Sequence, residues 1–126
     1  MLSTLKIAQL AAEAADSKKS FDILVLDLRG LTSIADYFVI CSASNTTQVG
    51  AIADGIDHAL SQERCRPSHI EGMASSTWVL MDYGDVVVHI FDEQARSYYG
   101  LDKLWGDAPS IRLKLTTPAA VKGPKT

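Results

Sequence analysis

The stretch WVLMDYGDVVVHIF at 78–91 places two aspartates, Asp82 and Asp85, around one glycine, with Trp78 at one end and His89 near the other. Two carboxylates and an imidazole are the donor set of a metal site, and the same residues with tryptophan also make an acidic, aromatic surface for a basic partner. A metal needs its ligands to converge within about 2–2.6 Å of one ion. Asp82 and Asp85 could converge, but His89 lies four strand residues beyond Asp85, about 13 Å at the usual rise. His89 cannot share their ion, and the metal reading fails on that distance.

Phosphate chemistry is the next candidate. CSASNTT at 41–47 runs from a strand of small and hydroxyl residues into a helix start, where free amides and the helix dipole favour anions. Nucleotide-transferring enzymes add two carboxylates at alternate strand positions to hold magnesium. Here LVLDLRG offers only Asp27, and MDYGD spaces its acids three apart. No Walker loop, Rossmann fingerprint or Ser-His-Asp grouping can be assembled.

These residues need elements to hold them. A chain of 126 residues with 47% hydrophobic content and 21% charge forms one globular domain. No run approaches eighteen apolar residues, so no membrane span is expected. The N-terminal apolar stretch has helical spacing and is followed by Glu13 and Asp16, which favours a mature helix over a signal peptide. Cys41 and Cys65 lack metal spacing and read as reduced thiols of a cytoplasmic protein.

The pattern predicts a helix over about 2–16, a buried strand FDILVLDLRG, a loop LTSIA and a second buried strand DYFVICSA. NTTQVGAIADGIDHALSQERCR follows as a helix, with Asn45 and Gln48 as a capping-box-like start and Pro67 as its stop. The 78–91 hairpin supplies two strands, and DEQARSYYGLDKL reads as a short helix. The order α-β-β-α-β-β-α indicates a mixed α/β sheet with helices packed on it. Residues 1–108 form the domain; 109–126, with three of the four prolines, read as a flexible basic tail.

With Tyr83 and Gly84 as a two-residue turn, Asp82 faces Asp85, Leu80 faces Val87 and Trp78 faces His89. Val79, Met81, Val86, Val88 and Ile90 then share an apolar core face. Trp78, Leu80, Asp82, Asp85, Val87 and His89 share a mixed face. Two features weigh against that register: opposed carboxylates repel, and tyrosine suits a positive-φ turn position poorly. The plain alternative is that both aspartates are turn residues bonded to nearby amides, and that His89 is a packed histidine.

Charge divides the chain. Residues 1–111 hold eight Lys and Arg against fifteen acidic residues, a net −7; the last fifteen hold four cations, Arg112, Lys114, Lys122 and Lys125. An acidic body is a poor binder of phosphates and suits a basic protein partner.

The succession ADYFVICSAS (35–44), QVGAIAD (48–54), Glu71-Gly72, WVLMDYGDVVVHIF (78–91), Arg96, Tyr99 and LDKLWGDA (101–108) resembles the ribosomal silencing factor family, also called the iojap family. The resemblance covers about residues 2–108. The chain departs from the common pattern at Ala43, where glycine is frequent, at Thr47, where a basic residue is frequent, and at Gly100, expected to loosen the last helix.

The resemblance implies a nucleotidyltransferase-like α/β fold without catalysis and without a cofactor. It implies binding to the large ribosomal subunit through the basic ribosomal protein L fourteen, blocking small-subunit joining when nutrients are short. On that reading Trp78 and Leu80 give apolar contact, Asp82 and Asp85 meet Arg or Lys, and Tyr83 and Glu71 complete the partner-binding set. A weak ribosomal RNA contact through the tail and a homodimer of the free protein are secondary expectations. An enzyme of nucleotidyltransferase type and an RNA-binding module are the competing readings.

Overall fold

A computed structural model describes residues 2–111. Helix α1 (Thr4–Ser17) starts on Ser3, whose side chain accepts from the Lys6 amide. It buries Ile7 and five alanines, side chains small enough to let the helix lie close against the sheet. Helix α2 (Thr46–Ser61) starts on Asn45, which accepts from the Gln48 amide at 2.8 Å, while Gln48 Oε1 accepts from the Ser44 amide at 2.6 Å. The expected capping box is therefore present, with its return bond displaced by one residue.

Helix α2 ends before the expected Pro67 stop, and both helices close in the same way. Ser20 N donates to Ala15 O and Lys19 N to Asp16 O; Cys65 N donates to Leu60 O and Arg64 N to Ser61 O. These are paired 6→1 and 5→2 closures, with Lys19 (φ 70°) and Arg64 (φ 61°) in the left-handed position. The stop expected at Pro67 is thus set three residues before it, by Arg64.

The strands β1 (Phe21–Asp27), β2 (Tyr37–Ala43), β3 (His69–Glu71), β4 (Trp78–Asp82), β5 (Val86–Asp92) and β6 (Ser110–Ile111) form one sheet in the order β3-β4-β5-β2-β1-β6. Only β2 and β5 pair in parallel. All seven residues of β2 are buried, as its unbroken apolar character predicts for an interior strand. The mixed α/β sheet stands as read from the sequence; β3 and β6 are short edge strands without a periodic signal. Ser110 and Ile111, assigned to the tail by composition, pair with Leu26 and Val25. The rest of the expected tail, 112–126, lies outside the described residues.

The helix predicted over DEQARSYYGLDKL is two helices, α3 (Glu93–Tyr99) and α4 (Leu101–Leu104). Gly100 adopts φ 57° and ends α3 with its amide on Arg96 O. It is a left-handed cap, so it turns the chain between two helices instead of loosening one.

The core has two parts. On one face α1 and α2 cover Val25, Val39, Cys41, Val79, Met81, Val88 and Ile90. On the other, Leu26, Leu28, Phe38, Ile40 and Phe91 pack with Ala95 of α3, and Leu101 and Trp105 lie against them. This second layer covers the middle of the sheet, and the β3–β4 side is left exposed to half-buried.

Candidate interaction face

The hairpin turn is Gly84-Asp85, one residue later than predicted. Gly84 supplies φ +89° at the first turn position, which tyrosine would adopt only under strain. Tyr83 N donates to Val86 O at 2.9 Å, and every cross-strand pair moves by two residues. Trp78 pairs with Phe91, Leu80 with His89 and Asp82 with Val87. A shift of two preserves the alternation, so Val79, Met81, Val86, Val88 and Ile90 remain core. It also separates Asp82 from Asp85, removing the repulsion of the predicted register.

On the other face the rows continue to the sheet edge. His69 on β3 pairs with Asp82, and Glu71 pairs with Leu80. Glu71, Leu80 and His89 thus form one cross-strand row, and His69, Asp82 and Val87 the next. Beside them Trp78 is half-buried, stacked on Phe91 at 5.0 Å between ring centroids and touching Tyr99 at 4.6 Å. Tyr99, 52% exposed, extends this aromatic ledge.

His89 fixes the ledge from beneath. It is 4% exposed, sits edge-on to Phe38, and its Nδ1 accepts from Trp78 Nε1 at 3.1 Å. The neutral ring therefore carries its proton on Nε2, and that atom is buried without a hydrogen-bond partner. Desolvation pushes the imidazole pKa down to about 4. The packed-histidine alternative is the one the structure adopts.

The acidic groups have separate roles. Asp82 Oδ1 accepts from the Gly84 amide at 2.8 Å, a turn role, while Asp82 Oδ2 lies 3.8 Å from His69 Nδ1. Glu71 lies 3.0 Å from His69 Nε2 and is well exposed. Asp85 is exposed at the hairpin tip, and its carbonyl accepts from the Asp36 and Tyr37 amides.

Of the six nominated residues, Trp78, Leu80, Asp82 and Glu71 share this face, and Asp85 stands at its end. Tyr83 does not join them. It faces α2, packed against the helix-side core, with its hydroxyl buried and its pKa raised by burial and by Asp57. Its parity with Met81 and Val79 carried that information. His69 and Tyr99 were not nominated. His69 is two residues from Glu71, the spacing that puts both on one strand face.

The phosphate reading finds no support in the geometry. Ser44, Asn45 and Thr46 line an open cavity of ≈ 340 Å³ whose other wall is Asp92, Glu93 and Gln94. The Gln48 and Ala95 amides are already held by Asn45 and Asp92, and the negative wall opposes an anion. Asp27, the only strand carboxylate considered for magnesium, is clamped by Arg29 at 2.9 and 2.8 Å, which lowers its pKa. Among the described residues no group of three or more His, Cys, Asp or Glu could hold a metal ion, and no helix is long and apolar enough to cross a membrane. Both cysteines are free, and burial pushes the Cys41 thiol up to about 11.

A family model described as ribosomal silencing factor during starvation matches residues 2–126. This chain belongs to the ribosomal silencing factor family. It is 48% identical over 103 residues to the ribosomal silencing factor RsfS of Bacillus subtilis, covering 82% of this chain and 87% of that one. It is 41% identical over 113 residues to RsfS of Halalkalibacterium halodurans, covering 90% and 97%. A crystal structure of a Chromobacterium violaceum protein superposes with a TM-score of 0.81 at 33% identity, covering 94% of this chain and 97% of that one. The mixed sheet of this silencing factor is thus shared with a solved structure along nearly the whole chain.

Proposed function

We propose that this silencing factor is a non-catalytic translational repressor that binds the large ribosomal subunit through ribosomal protein L fourteen and blocks joining of the small subunit by occupying its surface. Nutrient limitation is the condition in which that block operates. The observation that supports this reading is the uncovered β3–β4 face, where half-buried Trp78 and Leu80 lie beside Glu71 and Asp82. An apolar anchor with carboxylates beside it matches a basic protein partner.

The two helix starts that could cradle phosphate are capped by their own side chains. This favours occlusion over nucleotide transfer. The basic residues Arg112, Lys114, Lys122 and Lys125 would add a weak, salt-sensitive contact to ribosomal RNA.

Sucrose-gradient sedimentation tests the proposal. The protein should travel with free large subunits, be scarce on polysomes and slow the association of purified subunits. Equal abundance on translating ribosomes would rule out occlusion.

A further inference from the structure

We propose that His69 makes partner binding at this face pH-dependent: its protonated ring competes with the partner's Arg or Lys for Glu71 and Asp82, and its neutral ring releases them. The inference rests on the preceding reading that the face meets a basic protein surface.

The geometry is specific to this side chain. His69 is exposed on β3 and lies between the two carboxylates, with Nε2 3.0 Å from Glu71 Oε2 and Nδ1 3.8 Å from Asp82 Oδ2. β3 is an edge strand paired with β4 alone, so Glu71 on its own strand and Asp82 on β4 are the titratable groups facing the ring. The nearby Arg66 is directed to Asp57 at 3.7 Å. Histidine is the side chain whose ordinary titration falls between pH 5 and 8. As a cation it offers N–H donors toward both carboxylates and offsets one of their two charges. As a neutral ring it has one N–H, and both charges stand open to a basic partner.

The other two histidines do not share this position. His89 is buried beneath Trp78, and His58 is on α2, on the helix-covered side of the sheet. Affinity should therefore fall as pH falls, through His69.

The test is co-sedimentation of the full chain with purified large ribosomal subunits at pH 7.5 and pH 5.5, at one ionic strength. Wild-type affinity should drop by roughly two- to fivefold at the lower pH, the scale of one or two exposed ion pairs. His69→Gln should bind at pH 5.5 as it does at pH 7.5. His69→Lys should bind weakly at both, since its charge is permanent across this range. Circular dichroism at each pH verifies that the three proteins stay folded, which the exposed edge position favours. A pH response that persists unchanged in His69→Gln, or a wild type without one, overturns the role of His69 and leaves the ribosome reading standing. Absence of binding at either pH overturns that reading and this inference together.

Discussion

Trp78 Nε1 donates to His89 Nδ1 across 3.1 Å, a diagonal contact between β4 and β5 whose directly paired residues are Trp78–Phe91 and Leu80–His89. The bond holds the half-buried aromatic anchor by a buried imidazole, and so couples the shape of the interaction face to the protonation of one core residue.

That coupling predicts an acid-sensitive fold. The folded pKa of His89 is near 4, below the ordinary 6.5, so the unfolded chain binds the proton first as pH falls. Stability is fully present above about pH 6.5 and should decline between pH 6.5 and 4, by up to about 1.4 kcal/mol per pH unit. His89→Gln keeps an acceptor for the indole N–H but does not titrate. Its urea-unfolding midpoint should change less across this window than that of the wild type.

Trp78→Ala should reduce large-subunit affinity by about 2 kcal/mol or more, the scale of a buried-anchor truncation. It should also lower the melting temperature, because the indole packs on Phe91 and Tyr99 as well as facing solvent. Asp85→Lys separates the two effects. Its side chain is exposed, so stability should hold while binding weakens, most at low salt. Thermal melts and binding titrations on the same samples distinguish the outcomes; wild-type affinity in both folded variants would move the partner to another face.

Gly72→Ala should be costly for a backbone reason. Gly72 has φ +92°, and an added Cβ would collide with the Trp78 carbonyl. The left-handed strain alone is on the order of 1–2 kcal/mol. Because Gly72 directly follows Glu71 at the end of β3, the affinity for large subunits should fall together with stability, measurable by denaturant melts and sedimentation.

Arg96→Ala should loosen the ledge. The guanidinium Nη1 donates to Asp22 O at 2.9 Å and to the buried Ser42 Oγ at 2.8 Å, and Nε lies 3.5 Å from Asp102. One side chain thus ties the start of β1, β2 and the start of α4. Its loss should cost about 2 kcal/mol, the range of charge-assisted bonds with a partner left buried, and should raise amide exchange in α3 and α4.

The residues that set local structure were legible in the chain itself. Unbroken apolar runs gave β2 as an interior strand, Asn45 and Gln48 marked the start of α2, and period-two alternation put Val79, Met81, Val88 and Ile90 in the core. These signals survive without tertiary knowledge because each depends on neighbours within four residues, or on a parity that a two-residue register shift leaves intact. The candidate face was legible only in part: Trp78, Leu80 and Asp82 share a parity, but nothing local says which side the helices leave open, and Glu71 joins them only through the pairing of β3 with β4. That was decided when α3 and α4, split at Gly100, covered the middle of the sheet and met β4 at Trp78 through Tyr99, leaving Leu80 and Asp82 half-buried and β3 exposed. The placing of His69 between two carboxylates was illegible for a related reason: pairing of β3 with β4 is non-local, and a three-residue exposed strand carries too little hydrophobic pattern to announce it.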